Sequence, residues 1–163
     1  DVCSSDLCAL LESTKLDASI YLMVDTMAYL HKSGRITPAA AAIGSVLKIK
    51  PVLQIQGEKL DSFSKVRTMK QARTTMLAAA GKDLKDRFAD PEAENTWMLV
   101  AHTQNDEMAA EFAKEIEEHY PKAGAVYRAP LSLSIACHIG QGSLAVAMSK
   151  KIDIEAEWKR YGL

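Results

Sequence analysis

The stretch ASIYLMVDTMAYLHKSGRIT, residues 18–37, shows best how this chain folds. It begins with an apolar run rich in strand-forming side chains, a composition that predicts a strand over residues 18–24. Asp25 then offers an N-cap for a helix over residues 26–33, and Gly34 suits the C′ position that ends a helix. We therefore predict a strand that is followed directly by a helix.

A β-hairpin is predicted downstream. A threonine and a proline at the start of residues 37–47 fit the N-cap and N1 positions of an alanine-rich helix. Residues 49–55, IKPVLQI, predict a strand in which Pro51 favours a sheet edge or an irregular start. A turn at residues 56–57 leads to a second strand that reaches residue 67, so the two strands are expected to pair as a hairpin.

The second half of the chain predicts further helices and strands. Apolar side chains recur at helical spacing from residue 68, giving a long amphipathic helix that Asp90 and Pro91 end. Residues 97–102, WMLVAH, predict a buried strand, and Thr103 or Asn105 caps the next helix. The remaining predictions are a strand at 125–129, a helical turn or short helix at 131–137, a strand at 143–148 and a polar tail at 150–163. Together the elements predict a two-layer α+β fold with helices packed on a mixed or antiparallel sheet.

Composition excludes several classes of protein. The 163 residues are 48% hydrophobic and 25% charged, which is typical of a globular domain. No apolar run is long enough for a membrane span, so no stable membrane insertion is expected, and we expect a cytoplasmic location. The formal charge of -1 is spread without blocks of one sign, which argues against nucleic acid as a partner.

The first seven residues, DVCSSDL, differ from the rest of the chain. They resemble the conceptual translation of a sequencing-adapter tail, so we expect residues 1–7 to be an artefact and the chain to be a fragment whose upstream half is missing. Without Asp1 and Asp6 the charge moves from -1 to +1. Only Cys8 and Cys137 then remain, and their spacing fits neither a zinc site nor a disulfide framework.

Four stretches place polar or basic groups next to very apolar runs: YLHKSGRIT at 29–37, IGSVLKIKPVL at 43–53, KVR at 65–67 and HIGQG at 138–142. Together they resemble the signature of the DegV family. In that signature a leucine-rich helix ends in Gly-Arg-Ile, an Ile-Lys-Pro strand follows, a Lys-x-Arg closes the hairpin, and a His-x-Gly-x-Gly lies near the C-terminus. Order and spacing match over residues 18–149, and the one departure is Gln141, where the family more often has proline or glycine.

The resemblance implies that residues 8–149 form the C-terminal domain of a two-domain fatty-acid-binding protein with an EDD-type fold. In the family the N-terminal domain holds the fatty-acid carboxylate through hydroxyl groups, and the C-terminal domain closes over the acyl chain. The carrier presents a long-chain fatty acid to a separate DhaK-like fatty-acid kinase, which makes an acyl phosphate. The residues implied to lie near the carboxylate or phosphate end, or at the kinase-facing surface, are Arg35, Arg67, His138, Gly140 and Gly142.

Physical chemistry leaves a structural role open for each of these side chains. Arg35 follows a helix end, where it can satisfy terminal carbonyls or bind carboxylate and phosphate oxygens bidentately. Arg67 fits a solvated surface charge as well as an anion contact. His138 can donate to an anion or serve as a structural histidine, and the glycines after it let backbone approach a ligand closely.

The surplus of apolar residues favours a lipid over a polar ligand. Each methylene of an acyl tail contributes roughly 0.8 kcal/mol when it is buried, so a long apolar slot supplies affinity and a few polar groups supply orientation. The alternative is that the same residues are ordinary core. The slot candidates are Ile43, Leu47, Val52, Leu53 and Ile55.

Two other functions remain open at this point. One is a hydrolase or transferase that uses His138 with a carboxylate, which the absence of a Gly-x-Ser-x-Gly motif disfavours. The other is a regulatory interaction domain without a small ligand. Cys137 fits a small buried thiol better than a catalytic partner, and His102 with Asp106 is too small a set for a metal or acid–base site. No dinucleotide loop is present, and we expect no cofactor. With neither a metal cluster nor a nucleophile motif in the sequence, we also expect no metal and no catalysis.

Overall fold

The computed structural model describes residues 4–36, 48–57, 59–153, 156 and 159. The predicted helix at 37–47 lies outside the described residues, as does most of the predicted C-terminal tail. The described helices are α1 (Ser4–Thr14), α2 (Met27–Lys32), α3 (Met69–Asp86), α4 (Asp106–His119) and α5 (Leu133–Ile139). The strands are β1 (Ala18–Met23), β2 (Lys50–Gln56), β3 (Lys59–Val66), β4 (Thr96–His102), β5 (Tyr127–Pro130) and β6 (Leu144–Lys150).

Within the described residues the strands form a six-stranded sheet in the order β3-β2-β1-β6-β4-β5. β4 and β5 run parallel, and the other neighbouring strands run antiparallel. The predicted hairpin is confirmed as β2 and β3. The mixed sheet with packed helices confirms the predicted α+β fold class.

Local sequence explains how α2 begins and ends. Its N-cap is Thr26, whose hydroxyl accepts from the Ala28 amide at 3.3 Å, and the predicted cap Asp25 is wrong because that carboxylate pairs with Lys50 instead. At the other end Gly34 has a φ of +71°. The Arg35 amide donates to the Leu30 carbonyl at 2.8 Å, which completes a Schellman-type ending. The predicted role of Gly34 is thus confirmed.

α3 ends earlier than the sequence predicted. It begins after Thr68, whose hydroxyl accepts from the Gln71 amide at 3.1 Å, but its last helical residue is Asp86. Asp90 instead organises the turn after the helix, because its carboxylate accepts from the amides of Glu94 and Asn95 at 3.0 and 2.8 Å. The prediction that Asp90 and Pro91 end the helix directly was therefore wrong by about one turn.

One face of the sheet, which we call the closed face, is covered by α3 and α4. Because alternate side chains of a strand point to the same face of the sheet, every second strand residue faces these helices and packs against an apolar stripe on each of them. These contacts form the main core of the domain. Its largest fully buried side chains include Met23, Met76, Leu84, Met98, Phe112 and Ile116.

A polar group lies at one end of the closed face. The buried Asp83 carboxylate accepts from the Ser19 hydroxyl at 2.6 Å, the Tyr21 hydroxyl at 2.7 Å and the Gln56 amide at 2.9 Å. Arg87 adds an ion pair at 3.2 Å, so the buried charge is compensated. Burial raises the pKa of Tyr21, and its hydrogen bond to Asp83 raises it further.

The opposite face, which we call the open face, is apolar but only partly covered. Its middle row crosses all six strands of the sheet through paired positions. In strand order the row is Leu60, Ile55, Ile20, Ala147, Leu99 and Tyr127. The two residues at its ends, Leu60 and Tyr127, are 52% and 53% exposed. The open face therefore carries apolar surface that the described part of the chain leaves uncovered.

α2 and α5 cover the open face at one end only. Leu30 and Ile139 from these helices pack against Leu22, Val24 and Ala145 from the sheet. Away from them, Trp97 and Leu99 are 44% and 37% exposed. The prediction of a buried strand at 97–102 was thus right for the closed face and wrong for the open one.

β2 lies between β3 and β1, so the edge alternative for Pro51 was wrong and the proline lies near the start of an inner strand. No helix among the described residues combines the length and the apolarity needed to cross a membrane. α1 begins at Ser4, and the origin predicted for residues 1–7 stays a prediction.

Candidate ligand-binding site

The strand register brings the described parts of the four sequence motifs to one edge of the sheet. Met23 near the end of β1 pairs with Val52 near the start of β2 and with Leu144 at the start of β6. Leu144 in turn pairs with His102 at the end of β4, which pairs with Pro130 at the end of β5. We call this the motif edge, since β2 starts, β3 ends and the glycine motif enters β6 there.

The glycine motif forms a tight loop on the motif edge. We call residues 140–143 the glycine loop. Gly140 and Gly142 have φ values of +78° and +81°, a region that favours glycine. A Cβ on Gly140 would overlap the Tyr29 ring, and one on Gly142 would lie 3.2 Å from the Asp25 Cβ. Both glycines are therefore required by close packing, against Tyr29 of α2 and against Asp25 after β1, as well as by backbone conformation.

His138 lies in the last turn of α5, directly before the glycine loop, and its side chain is exposed. Neighbouring serines are engaged elsewhere: the Ser132 and Ser134 hydroxyls bond to each other at 2.8 Å. Ser143 is buried, and its hydroxyl lies 3.4 Å from the carbonyl oxygens of Ile139 and Gly140. The described hydrogen bonds thus do not pair His138 with a serine in the manner of a hydrolase.

Arg67 lies in a cleft that shares no lining residue with the glycine loop. It follows β3 directly and precedes Thr68, the N-cap of α3, and its amide donates to the Gln71 side chain at 3.0 Å. The cleft has a volume of about 790 Å³, and the described residues of its lining include Lys65, Arg67 and Lys70 but no carboxylate. A positively charged opening of this kind favours anionic groups.

Arg35 is exposed and follows the Schellman-type ending of α2. The Leu30 carbonyl is satisfied by the Arg35 backbone, not by its guanidinium. The Leu30 carbonyl near the end of α2 is therefore satisfied without the Arg35 side chain.

A second cleft, with a volume of about 460 Å³, lies beside the glycine loop. Its wall includes Tyr29, His102, Cys137 and Gly140. Cys137 is exposed, so the prediction of a small buried thiol was wrong: the short helix α5 turns that side towards solvent. His102 is buried, its Nδ1 accepts from the Asn105 amide at 3.1 Å, and its Nε2 lies 3.5 Å from an Asp106 carboxylate oxygen.

The acyl-slot candidates divide between the two faces. Ile43 and Leu47 lie outside the described residues. Val52 is fully buried in the main core of the closed face, whereas Leu53 and Ile55 are half-buried, with Leu53 packed against the smaller cluster of the open face. Because the register places Leu53 and Ile55 opposite Leu22 and Ile20 on the open face, Val52 cannot line the same slot.

Sequence reasoning missed the residues that hold the motif edge together. Asp25 pairs with Lys50, which links the end of β1 to the start of β2. Thr103 and Asn105 were considered only as helix caps, yet both bond to the glycine loop. Neither partnership has a local sequence signal, because its members lie far apart in the chain.

The fold and the motif edge define an α+β domain with an apolar open face beside a glycine-containing polar edge. The chain belongs to the DegV family. The model of that family, which is described as an uncharacterised protein family, matches residues 5–151.

Individual relatives support this assignment. Protein DegV of Bacillus subtilis strain 168 is 31% identical over 141 residues, which are 86% of this chain and 48% of that protein. A DegV domain-containing protein of Staphylococcus aureus is 33% identical over 126 residues, which are 77% of this chain and 42% of that protein. The chain thus spans about half the length of the curated relatives that it matches.

Solved structures share the fold. The crystal structure of DegV from Bacillus subtilis, a fatty acid binding protein, has a TM-score of 0.72 and 30% identity, and the match covers 91% of this chain and 50% of that one. A stearic acid-binding protein from Eubacterium ventriosum has a TM-score of 0.76 and 22% identity, with the same coverage. This chain therefore has the fold of about half of each of those proteins.

Proposed function

We propose that this chain is the acyl-chain side of a lipid carrier that binds a long-chain fatty acid. The observation that carries the proposal is the apolar row across the open face, which crosses all six strands and runs alongside the polar motif edge. A fatty acid needs both, because its tail gains free energy from apolar burial and its carboxylate needs polar partners. The fatty acid binding DegV of Bacillus subtilis supports the same conclusion.

The second step of the proposal concerns delivery. The carrier presents the bound fatty acid to a separate DhaK-like fatty-acid kinase, which forms an acyl phosphate, and this domain contributes no catalysis. Arg67 in its basic cleft, Arg35 on its exposed turn and His138 before the glycine loop contact the anionic end of the lipid or the kinase. Two observations support this assignment: no carboxylate is among the described residues that line the basic cleft, and His138 is exposed on the motif edge.

The proposed contact between the acyl tail and the open face is tested in the full-length protein. Ile55→Thr keeps a β-branched side chain in β2 but replaces a methyl-bearing branch with a hydroxyl. We expect fatty-acid binding to weaken several-fold in a fluorescent titration, because roughly 0.8 kcal/mol is lost for each buried methylene. Ile152→Thr, at a half-exposed isoleucine outside the row, is the matched control. Equal affinities for the two variants would contradict the proposed slot.

The polar residues are tested in the same protein with a kinase assay. Arg67→Ala and His138→Ala are expected to leave fatty-acid affinity largely intact, since the tail supplies most of it, and to reduce acyl-phosphate formation. Lys82→Ala and His119→Ala, at exposed positions of α3 and α4, are the controls. If the site variants fold, bind lipid and turn over as well as these controls do, the assignment of Arg67 and His138 is wrong.

Native mass spectrometry tests the function as a whole. A long-chain fatty acid that co-purifies with the full-length protein supports the carrier. An empty protein that hydrolyses esters would support an enzyme instead. An empty protein with neither property would support an interaction domain.

A further inference from the structure

The glycine loop is held in place mainly by the turn between β4 and α4. We call residues 102–105 the β4–α4 turn. The backbone of Thr103 bonds to the loop twice: its carbonyl accepts from the Gly142 amide at 2.7 Å, and its amide donates to the Ser143 carbonyl at 3.1 Å. These bonds tie two segments together that lie about forty residues apart in the chain.

The Thr103 side chain adds two more bonds to the same loop. Its hydroxyl donates to the Gly140 carbonyl at 2.6 Å and accepts from the Ser143 amide at 3.0 Å. Thr103 is only 3% exposed, so water cannot readily replace either bond. The hydroxyl therefore fixes the first and the last residue of the glycine loop at once.

Asn105 supports the loop from the other end of the turn. Its side-chain amide donates to the Gly142 carbonyl at 3.2 Å, while its backbone amide donates to His102 Nδ1 at 3.1 Å. The side chain of Asn105 makes no capping bond to α4, although the residue occupies the N-cap. Its carboxamide thus serves the glycine loop and not the helix.

We propose that Thr103 is a positioning residue for His138. Gly140 is two residues after His138, and its amide donates to the Ala136 carbonyl at 2.8 Å, so the loop directly continues the last turn of α5. A hydroxyl that fixes Gly140 and Ser143 therefore fixes the direction in which His138 is presented. The role of His138 in this inference rests on the proposed function. The claim that Thr103 sets the position of the His138 ring does not.

The test compares Thr103→Val, which keeps the side-chain shape, with Thr103→Ser, which keeps the hydroxyl. Thr96→Val is the matched control, because Thr96 is a buried threonine at the other end of β4 whose hydroxyl donates to Asp90 at 2.7 Å. NMR of the full-length protein follows the imidazole signals of His138, with His138→Gln used to assign them. We expect these signals to shift in Thr103→Val and to stay unchanged in Thr103→Ser and in the control.

Acyl-phosphate formation provides a second measurement. Thr103→Val is expected to lower turnover about tenfold with little change in fatty-acid affinity, and Thr103→Ser is expected to restore it. In a His138→Ala background Thr103→Val should cause no further loss, because its effect acts through His138. If Thr103→Val does not fold, Asn105→Asp takes its place, since it keeps a good N-cap and removes the donor to Gly142.

The outcomes are distinct from those of the proposed function. Unchanged His138 signals in Thr103→Val and in Asn105→Asp would overturn the inference, and so would a Thr103→Ser variant that behaves like Thr103→Val. A full-length protein that neither binds fatty acid nor supports the kinase would contradict the proposed function. The NMR comparison would still decide whether Thr103 positions His138.

Discussion

The two faces of the sheet use similar apolar residues for different purposes. On the closed face α3 and α4 bury the strand side chains of the main core, and Phe112 and Met98 have almost no exposed surface. On the open face the row from Leu60 to Tyr127 crosses all six strands, yet α2 and α5 cover the sheet only near the motif edge. An apolar strand pattern therefore predicts a face of the sheet but does not predict which part of the molecule covers that face.

The largest expected effect tests the closed face. Phe112→Ala removes a fully buried aromatic ring of α4 and leaves a cavity between helix and sheet. We expect a loss of about 3–5 kcal/mol in the free energy of unfolding, measured by urea denaturation. A loss below about 1 kcal/mol would show that the closed face is not the main core.

The second effect tests the covered end of the open face. Gly140→Ala forces a side chain onto a residue with a φ of +78° and into the Tyr29 ring. Gly124→Ala is the control, because Gly124 has the same φ but nothing within 4 Å of an added Cβ. We expect about 1 kcal/mol for the control and about 1–3 kcal/mol more for Gly140→Ala, measured by thermal and urea unfolding.

A double variant sharpens this result. Tyr29→Ala removes the ring that the new methyl group would meet, so it should recover part of the extra cost of Gly140→Ala. If the two substitutions are simply additive, the packing of α2 against the glycine loop is not what requires Gly140.

The third effect concerns the polar end of the closed face and depends on pH. The pKa of Tyr21 is raised by burial and by Asp83, so its stabilising contribution is complete below the ordinary tyrosine value of 10.0 and is lost as pH rises above it. Tyr21→Phe should cost about 1 kcal/mol at neutral pH and should make the alkaline loss of stability shallower. Tyr127→Phe, at a tyrosine that is 53% exposed, should change neither. Parallel alkaline profiles for wild type and Tyr21→Phe would contradict the raised pKa.

Local patterns in the sequence predicted most of the elements. The apolar run of β1 and the glycine after α2 are local signals, and so is the turn at residues 56–57 between β2 and β3. The errors arise where a contact between distant parts of the chain replaces the local interaction that the sequence predicted. Asp25 could cap α2 or pair with Lys50, and only the folded chain brings Lys50 close enough to decide.

The candidate site was predictable in part. The four motifs are local, and the sheet register brings their described parts to one edge. The bond from Thr103 to Gly140 was not predictable, because it joins residues 37 positions apart and neither has a pattern that points to the other. The exposure of Cys137 and of Trp97 also depends on which helix covers which part of the sheet.

The smallest expected effect tests the open face itself. Leu99 and Met98 are neighbours in β4, but Leu99 is 37% exposed on the open face and Met98 is buried on the closed face. In this chain Leu99→Thr should change the free energy of unfolding by no more than about 0.5 kcal/mol, because threonine suits a strand and little apolar surface is buried there. Met98→Thr should cost several times as much, since it places a hydroxyl in the main core. In the full-length carrier of the proposed function we expect Leu99→Thr to cost more than it does in this chain, because a second domain or the bound lipid would then cover the row. Equal costs of Leu99→Thr in both proteins, measured by urea denaturation, would show that the open face stays exposed and that the lipid lies elsewhere.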